Sequence, residues 1–183
     1  MKKIVVALAC LAFTLPAAAQ DVGDYGAQIA AGAPLEIPPG IYAATANRLA
    51  AFYVGIFDPA KARTVFADAL LARIEAGQKP FIVDIRPAKD YAAGHVPGAI
   101  SIPLDVLFLA ENLALLPTDG TPIILVCHTG HTASMAMGGL AALGYNPYVL
   151  RFSMMAWSAR SNQKIFTGSQ TQEIFGLGGP LER

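Results

Sequence analysis

Ile123-Ile124-Leu125-Val126-Cys127-His128-Thr129-Gly130-His131-Thr132-Ala133 carries an apolar run into a short polar loop, and a helix-prone stretch over 134–143 follows, closed by Gly144. The run reads as a strand and the loop as its turn into a helix. A cysteine therefore stands at a strand-to-helix junction. Successive backbone N–H groups in a tight loop converge into an anion-binding nest, and the following helix adds the positive end of its dipole. Both favour the thiolate, the nucleophilic form, and lower a thiol pKa below its free value of about 8.5. Gly130 lets the loop close around an anion. The other reading of Cys127 is a small buried apolar side chain, the state of most free cysteines.

Working outward, three more apolar runs bounded by turn residues occur at 81–85, 99–102 and 148–150. None alternates cleanly, as expected for strands covered by helices on both faces. Segments 104–116 and 132–143 supply helices between them, a βαβ rhythm that defines an α/β fold. Gly138 and Gly139 each lower helix propensity by about 1 kcal/mol relative to Ala, and suit close packing on a sheet. Over 64–77, the apolar positions Val65, Phe66, Leu70, Leu71 and Ile74 fit an amphipathic helix starting at Thr64 or at Asp68. Residues 44–57 suggest a short helix stopped by Asp58-Pro59. Residues 20–43 are too rich in Gly and Pro for a long regular element, and 158–183 reads as a tail wrapping the surface.

The chain has 183 residues, 13 Lys+Arg against 13 Asp+Glu, and 14% charged residues, where an average soluble protein has about 25%. Balanced charge excludes the basic footprint of a nucleic-acid binder. Lys2 and Lys3 precede a run of 12 apolar or small residues from Ile4 to Leu15, then Pro16 and Ala17-Ala18-Ala19. This is the pattern of a secretory signal peptide cleaved near Ala19, since roughly 18 to 20 residues are needed to span a bilayer. The expected product is periplasmic or secreted, with no membrane attachment after cleavage. Cys10 lies inside the apolar run and leaves with it. Loss of Lys2 and Lys3 leaves 11 basic and 13 acidic side chains. One cysteine remains, Cys127, so no internal disulfide can form and the thiol needs another explanation.

Three stretches together resemble the rhodanese-like sulfurtransferases. Asp84-Ile85-Arg86, Tyr91, Gly94-His95-Val96-Pro97-Gly98-Ala99-Ile100 and Ile102-Pro103 are similar to the family signature DxR…Y…GHIPGAxxIP. Cys127 to Thr132 is similar to its C-x-x-G-x-[R/T] loop, and Leu143-Gly144-Tyr145 with Trp157 to its closing helix and aromatic. The resemblance runs from about Thr64 to Trp157, about half the chain. It implies a five-stranded, mostly parallel sheet flanked by helices on both faces. Residues 64–160 would form the domain, 20–63 an N-terminal extension with a short helix, and 161–183 a C-terminal tail.

The implied chemistry is a persulfide on Cys127, cradled by the backbone amides of His128, Thr129, Gly130, His131 and Thr132. Sulfane sulfur would pass from a donor such as thiosulfate or a persulfide to an acceptor such as cyanide or a thiol. No cofactor or metal is implied. The expected partners are a small sulfur-containing anion, a thiophilic acceptor, and a redox or sulfur-relay protein.

Asp84 and Arg86 read as a structural pair, because an acid at the end of an apolar strand needs a partner. His95 lies in a turn and reads as structural support. Trp157, Phe152, Met154 and Met155 read as core or pocket wall, and the family commonly has Gly near Ser153. This loop also lacks the Arg or Lys with which thiosulfate users hold a dianion, offering His128, His131 and Thr132 instead. Imidazoles gain charge only as pH falls below about 6.5, so thiosulfate should bind weakly at neutral pH. Either histidine could equally be an exposed loop side chain without substrate contact. Two other classes remain. A persulfide carrier would serve a partner without turnover, and a soft-metal module would use Cys127, His128 and His131. A cysteine phosphatase would need one more loop residue and an Arg where Ala133 stands.

Overall fold

A computed structural model describes residues 39–158, 161–164, 171–174 and 176–183. The expected signal peptide, the lead-in through residue 38 and parts of the tail lie outside the described residues. The chain divides into two compact units, residues 1–44 and 45–183, and the second carries the sheet and the cysteine loop. No helix of the described residues is long and apolar enough to cross a membrane.

The elements in chain order are α1 (Pro39–Tyr53), β1 (Thr64–Val65), α2 (Ala67–Glu75), β2 (Phe81–Asp84), α3 (Ala88–Ala93), β3 (Ile100–Ser101), α4 (Leu104–Leu107), α5 (Ala110–Leu113), β4 (Ile123–Val126), α6 (His131–Leu143), β5 (Pro147–Leu150), α7 (Ser153–Trp157), β6 (Ser161–Lys164) and β7 (Thr171–Ile174). β1 to β5 form one sheet, in the order β1-β5-β4-β2-β3. All its pairings are parallel, with Phe81 opposite Ile123 and Ile123 opposite Pro147. The architecture is the expected five-stranded α/β sheet.

The missing alternation in the strands has a direct cause. Successive residues of a strand point to opposite faces, and here both faces are buried. Val83, Ile123, Leu125 and Val149 enter one apolar cluster with Ala133, Ala136 and Leu140 of α6. Ile82, Ile124, Val126 and Leu150 enter the other, with Leu70 of α2 and Met154 and Trp157 of α7.

Several expected boundaries move. Thr64 and Val65 form a strand, not the first turn of a helix, because they complete the hydrogen bonding of β5 opposite Val149 and Leu150. The stretch 104–116 breaks into α4 and α5, since Leu109 is extended (φ −70°, ψ 145°) between them. The Val106 carbonyl is capped there by the Leu109 N–H and the Asn112 side-chain amide. α1 begins at Pro39, where a proline costs nothing because the first-turn N–H has no partner. It ends at Tyr53, and Asp58 caps a separate short turn, its carboxylate accepting from the Ala60 N–H at 3.0 Å. Gly138 and Gly139 do not lie on the sheet. A Cβ at Gly139 would stand 2.6 Å from Phe108 Cζ, so the glycine admits that ring on the outer side of α6.

The tail contains an antiparallel hairpin, β6 with β7, and its end returns to the domain. The Trp157 indole N–H donates to the Pro180 carbonyl at 2.8 Å. Glu182 exchanges backbone hydrogen bonds with His95, and its carboxylate accepts from the Gly98 N–H.

Candidate active site

β4 delivers Cys127 to the end of the sheet, and α6 begins at His131, so the cysteine and the free N–H groups of the helix's first turn share one small space. Gly130 caps α6 at φ 92°, a left-handed conformation that a side chain would strain. That backbone aims the Gly130 N–H at Cys127 Sγ, 3.0 Å away. The loop is held in place by α7, whose Met154 and Met155 N–H groups donate to the Cys127 and His128 carbonyls.

The thiol is 2% exposed and packs within the apolar cluster of β2, β4 and α6. This joins the two readings of Cys127, since the side chain is buried and the loop still sets a donor on its sulfur. Burial pushes the Cys127 thiol up, but hydrogen bonding contributed by the Thr132 side chain, the Ala133 backbone, the Ser153 side chain and the Gly130 backbone brings it below its ordinary value. Of the expected cradle of amides from His128 to Thr132, the Gly130 N–H is the one set directly on the sulfur.

Ser153 and Asp90 belong to the site and were not singled out for it by sequence. The Cys127 N–H donates to Ser153 Oγ at 3.1 Å, and that hydroxyl lies 3.2 Å from the Leu150 carbonyl. Phe152 and Ser153 both have positive φ, 57° and 45°, a conformation that costs a non-glycine residue about 1–3 kcal/mol. Phe152 points outward, 52% exposed beside Arg151, and so is not core; Met154 and Trp157 are buried as expected.

Asp90 receives His128, with Nε2 3.2 Å from Oδ2. A cleft of about 690 Å³ opens beside the loop, its wall including Arg86, Pro87, Leu104, Asp105, His128 and Thr132. Thr132 is common to the cleft and to the sulfur's hydrogen bonds. His131 is exposed and is not part of the cleft wall.

The cleft's charges are largely spent on one another. Arg86 holds Asp84 through Nε and Nη2 at 2.7 to 3.0 Å, and Nη2 also donates to the Gly94 carbonyl. Both side chains are buried. His128 faces Asp90, and Asp105 is exposed. His95 stacks on Tyr91 at 3.7 Å and its Nδ1 lies 3.0 Å from the Tyr91 carbonyl. Among the described residues, no three His, Cys, Asp or Glu side chains group as a metal ion requires. Cys127, His128 and His131 do not converge.

The family model for the rhodanese-like domain matches residues 66–160, and the chain belongs to that family. It is 29% identical over 93 residues to the thiosulfate sulfurtransferase GlpE of Pseudomonas fluorescens, covering 50% of this chain and 83% of GlpE. It is 30% identical over 100 residues to the "Probable adenylyltransferase/sulfurtransferase MoeZ" of Mycobacterium tuberculosis, covering 54% of this chain but only 25% of MoeZ. The crystal structure of the Alr3790 protein from Anabaena shares the fold, with a TM-score of 0.51 at 24% identity, over 64% of this chain and 81% of that one. Sulfur transfer is thus the general chemistry of its relatives.

Proposed function

We propose that the protein is an exported sulfurtransferase that carries sulfane sulfur on Cys127. The observation that carries this reading is a sulfur gripped by the Gly130 N–H at 3.0 Å with its ionisation favoured. The Cys127 thiolate attacks the outer sulfur of thiosulfate; an S–S bond forms, and the bond to the sulfonate sulfur breaks to release sulfite with the electron pair. Cyanide or a thiolate then attacks the outer sulfur of the persulfide, and Cys127 leaves as thiolate. The thiolate is itself the nucleophile, and hydrogen bonding at Sγ favours it, so no separate general base is needed. Purified mature protein given thiosulfate and cyanide should produce thiocyanate and gain one sulfur on Cys127. Absence of both products would refute the reading.

A carrier that serves a partner is the second reading, favoured by the 2% exposure of Cys127. It predicts the one-sulfur gain without sustained thiocyanate formation, and it would enlist a sulfur-relay or redox protein as acceptor. Residues 2–19 support export, and an oxidising compartment favours a sulfur-capped resting state of Cys127. Intact mass of the exported protein should correspond to a chain starting near Gln20 with sulfur on Cys127. An uncleaved chain, or a free unmodified thiol, would count against these parts of the proposal.

Thiosulfate should be a poor donor at neutral pH, because the cationic groups of the cleft are paired and Asp105 is not. Asp90→Asn should lower the KM several-fold at pH 7, by removing a negative charge beside His128 at the cleft's edge. Steady-state kinetics check this, and a KM indifferent to Asp90 would exclude this account of donor selection.

A further inference from the structure

We propose that Ser153 is a donor to the reacting sulfur, turning its single hydroxyl proton from the Leu150 carbonyl to Cys127 Sγ whenever that sulfur is anionic. Ser153 is fully buried. Its oxygen accepts the Cys127 N–H at 3.1 Å, which fixes the hydroxyl beside the cysteine. One proton remains to donate. The Leu150 carbonyl, 3.2 Å away, takes it when the sulfur is neutral. An anionic sulfur is the stronger acceptor, since charge-assisted hydrogen bonds are roughly twice as strong as neutral ones. The Ser153 side chain is also among the groups whose hydrogen bonding favours ionisation of the Cys127 thiol.

The backbone supplies an independent argument. Phe152 and Ser153 are the two non-glycine residues with positive φ among the described residues. Such strain persists where the surrounding structure enforces it, and it concentrates at functional sites. Here it accompanies a buried hydroxyl that meets the Cys127 N–H at 3.1 Å. Ser153 is 26 residues from Cys127 in sequence, so α7 brings to the loop a further hydroxyl beside those of Thr129 and Thr132.

The inference rests on Cys127 as the sulfur nucleophile, but its primary test needs no sulfur donor. The rate of Cys127 alkylation by iodoacetamide is measured against pH for the wild-type protein, Ser153→Ala and Ser153→Gly. The plateau reports access to the thiol, and the inflection reports its ionisation. The other titratable or charged groups around the loop and its cleft are His128 with Asp90 of α3, His131 at the start of α6, Arg86 with Asp84 of β2, Asp105 of α4, and Arg151 before α7. None is altered by these substitutions. Both variants lack the hydroxyl, while only glycine relieves the left-handed strain.

Both should shift the inflection upward by about one pH unit, a tenfold change in the thiol–thiolate equilibrium. Sulfur loading from thiosulfate at pH 7 should slow about tenfold in each. An inflection unmoved in both variants overturns the proposal. A shift confined to one variant also overturns it, because the cause would then be backbone strain and not the hydroxyl. If no donor loads sulfur onto the wild-type protein while the shift holds in both variants, the sulfurtransferase reading fails and the role of Ser153 in ionising the thiol stands.

Discussion

Cys127→Ser should abolish sulfur loading, with thiocyanate formation from thiosulfate and cyanide falling at least about a thousandfold, a barrier increase of about 4 kcal/mol. A serine hydroxyl is neutral at any working pH and forms no persulfide, so the variant loses the intermediate itself and not a fraction of its stabilisation. The fold should survive. Serine keeps an acceptor for the Gly130 N–H, which now reaches Sγ at 3.0 Å, and the change of one buried atom costs on the order of 1 kcal/mol. Intact mass, initial rates and a thermal melt make the three measurements. The variant should melt within several degrees of the wild type and gain no sulfur. Because Cys127 is the sole cysteine left after removal of residues 1–19, a persistent one-sulfur gain on the serine variant would place the carrier group elsewhere and end the Cys127 mechanism.

The parts of this site that could be read from sequence are those whose chemistry is local. Ile123–Val126 is uniformly apolar because both its faces are covered, and that alone points to an internal parallel strand. The loop that follows it exposes its purpose through Cys127 and Gly130. The Ala133 amide was within reach of the same reasoning. The first N–H groups of a helix lack intrahelical partners, and a helix starting at His131 leaves the Ala133 N–H free to face the sulfur.

Ser153 and Asp90 were not legible in this way, because each reaches the loop only through tertiary structure. Ser153 arrives through the pairing of β4 with β5 and a left-handed turn at Phe152. Asp90 arrives through α3, 38 residues before the histidine it meets. The two-residue strand at Thr64 has no periodicity of its own, and exists because β5 leaves an edge for it to pair. Burial and activation of the thiol stood in the sequence as alternatives, and the structure combines them for a related reason. An apolar cluster and a ring of donors share the sulfur, and local sequence reports either without weighing them together.

Asp84→Ala should destabilise the protein by about 3–5 kcal/mol, because it leaves the Arg86 guanidinium buried without its counter-charge. The carboxylate is fully buried and accepts from Arg86 Nε, Nη2 and backbone N–H; only the Gly94 carbonyl would remain as an acceptor. Domains of this size are stable by about 5–15 kcal/mol in all, so the loss should lower Tm by on the order of 10 °C. The double variant Asp84→Leu/Arg86→Leu should recover most of it, since a buried ion pair replaced by apolar side chains is often neutral in stability. A Tm for Asp84→Ala within 2 °C of the wild type would mean that water reaches the guanidinium and that the pair is not structural. Arg86 lines the cleft, held there by Asp84, and neither bonds the sulfur. A double variant that melts normally should therefore load sulfur within a few-fold of the wild-type rate, whereas a deep loss of loading at normal Tm would make Arg86 a binding residue and not scaffold.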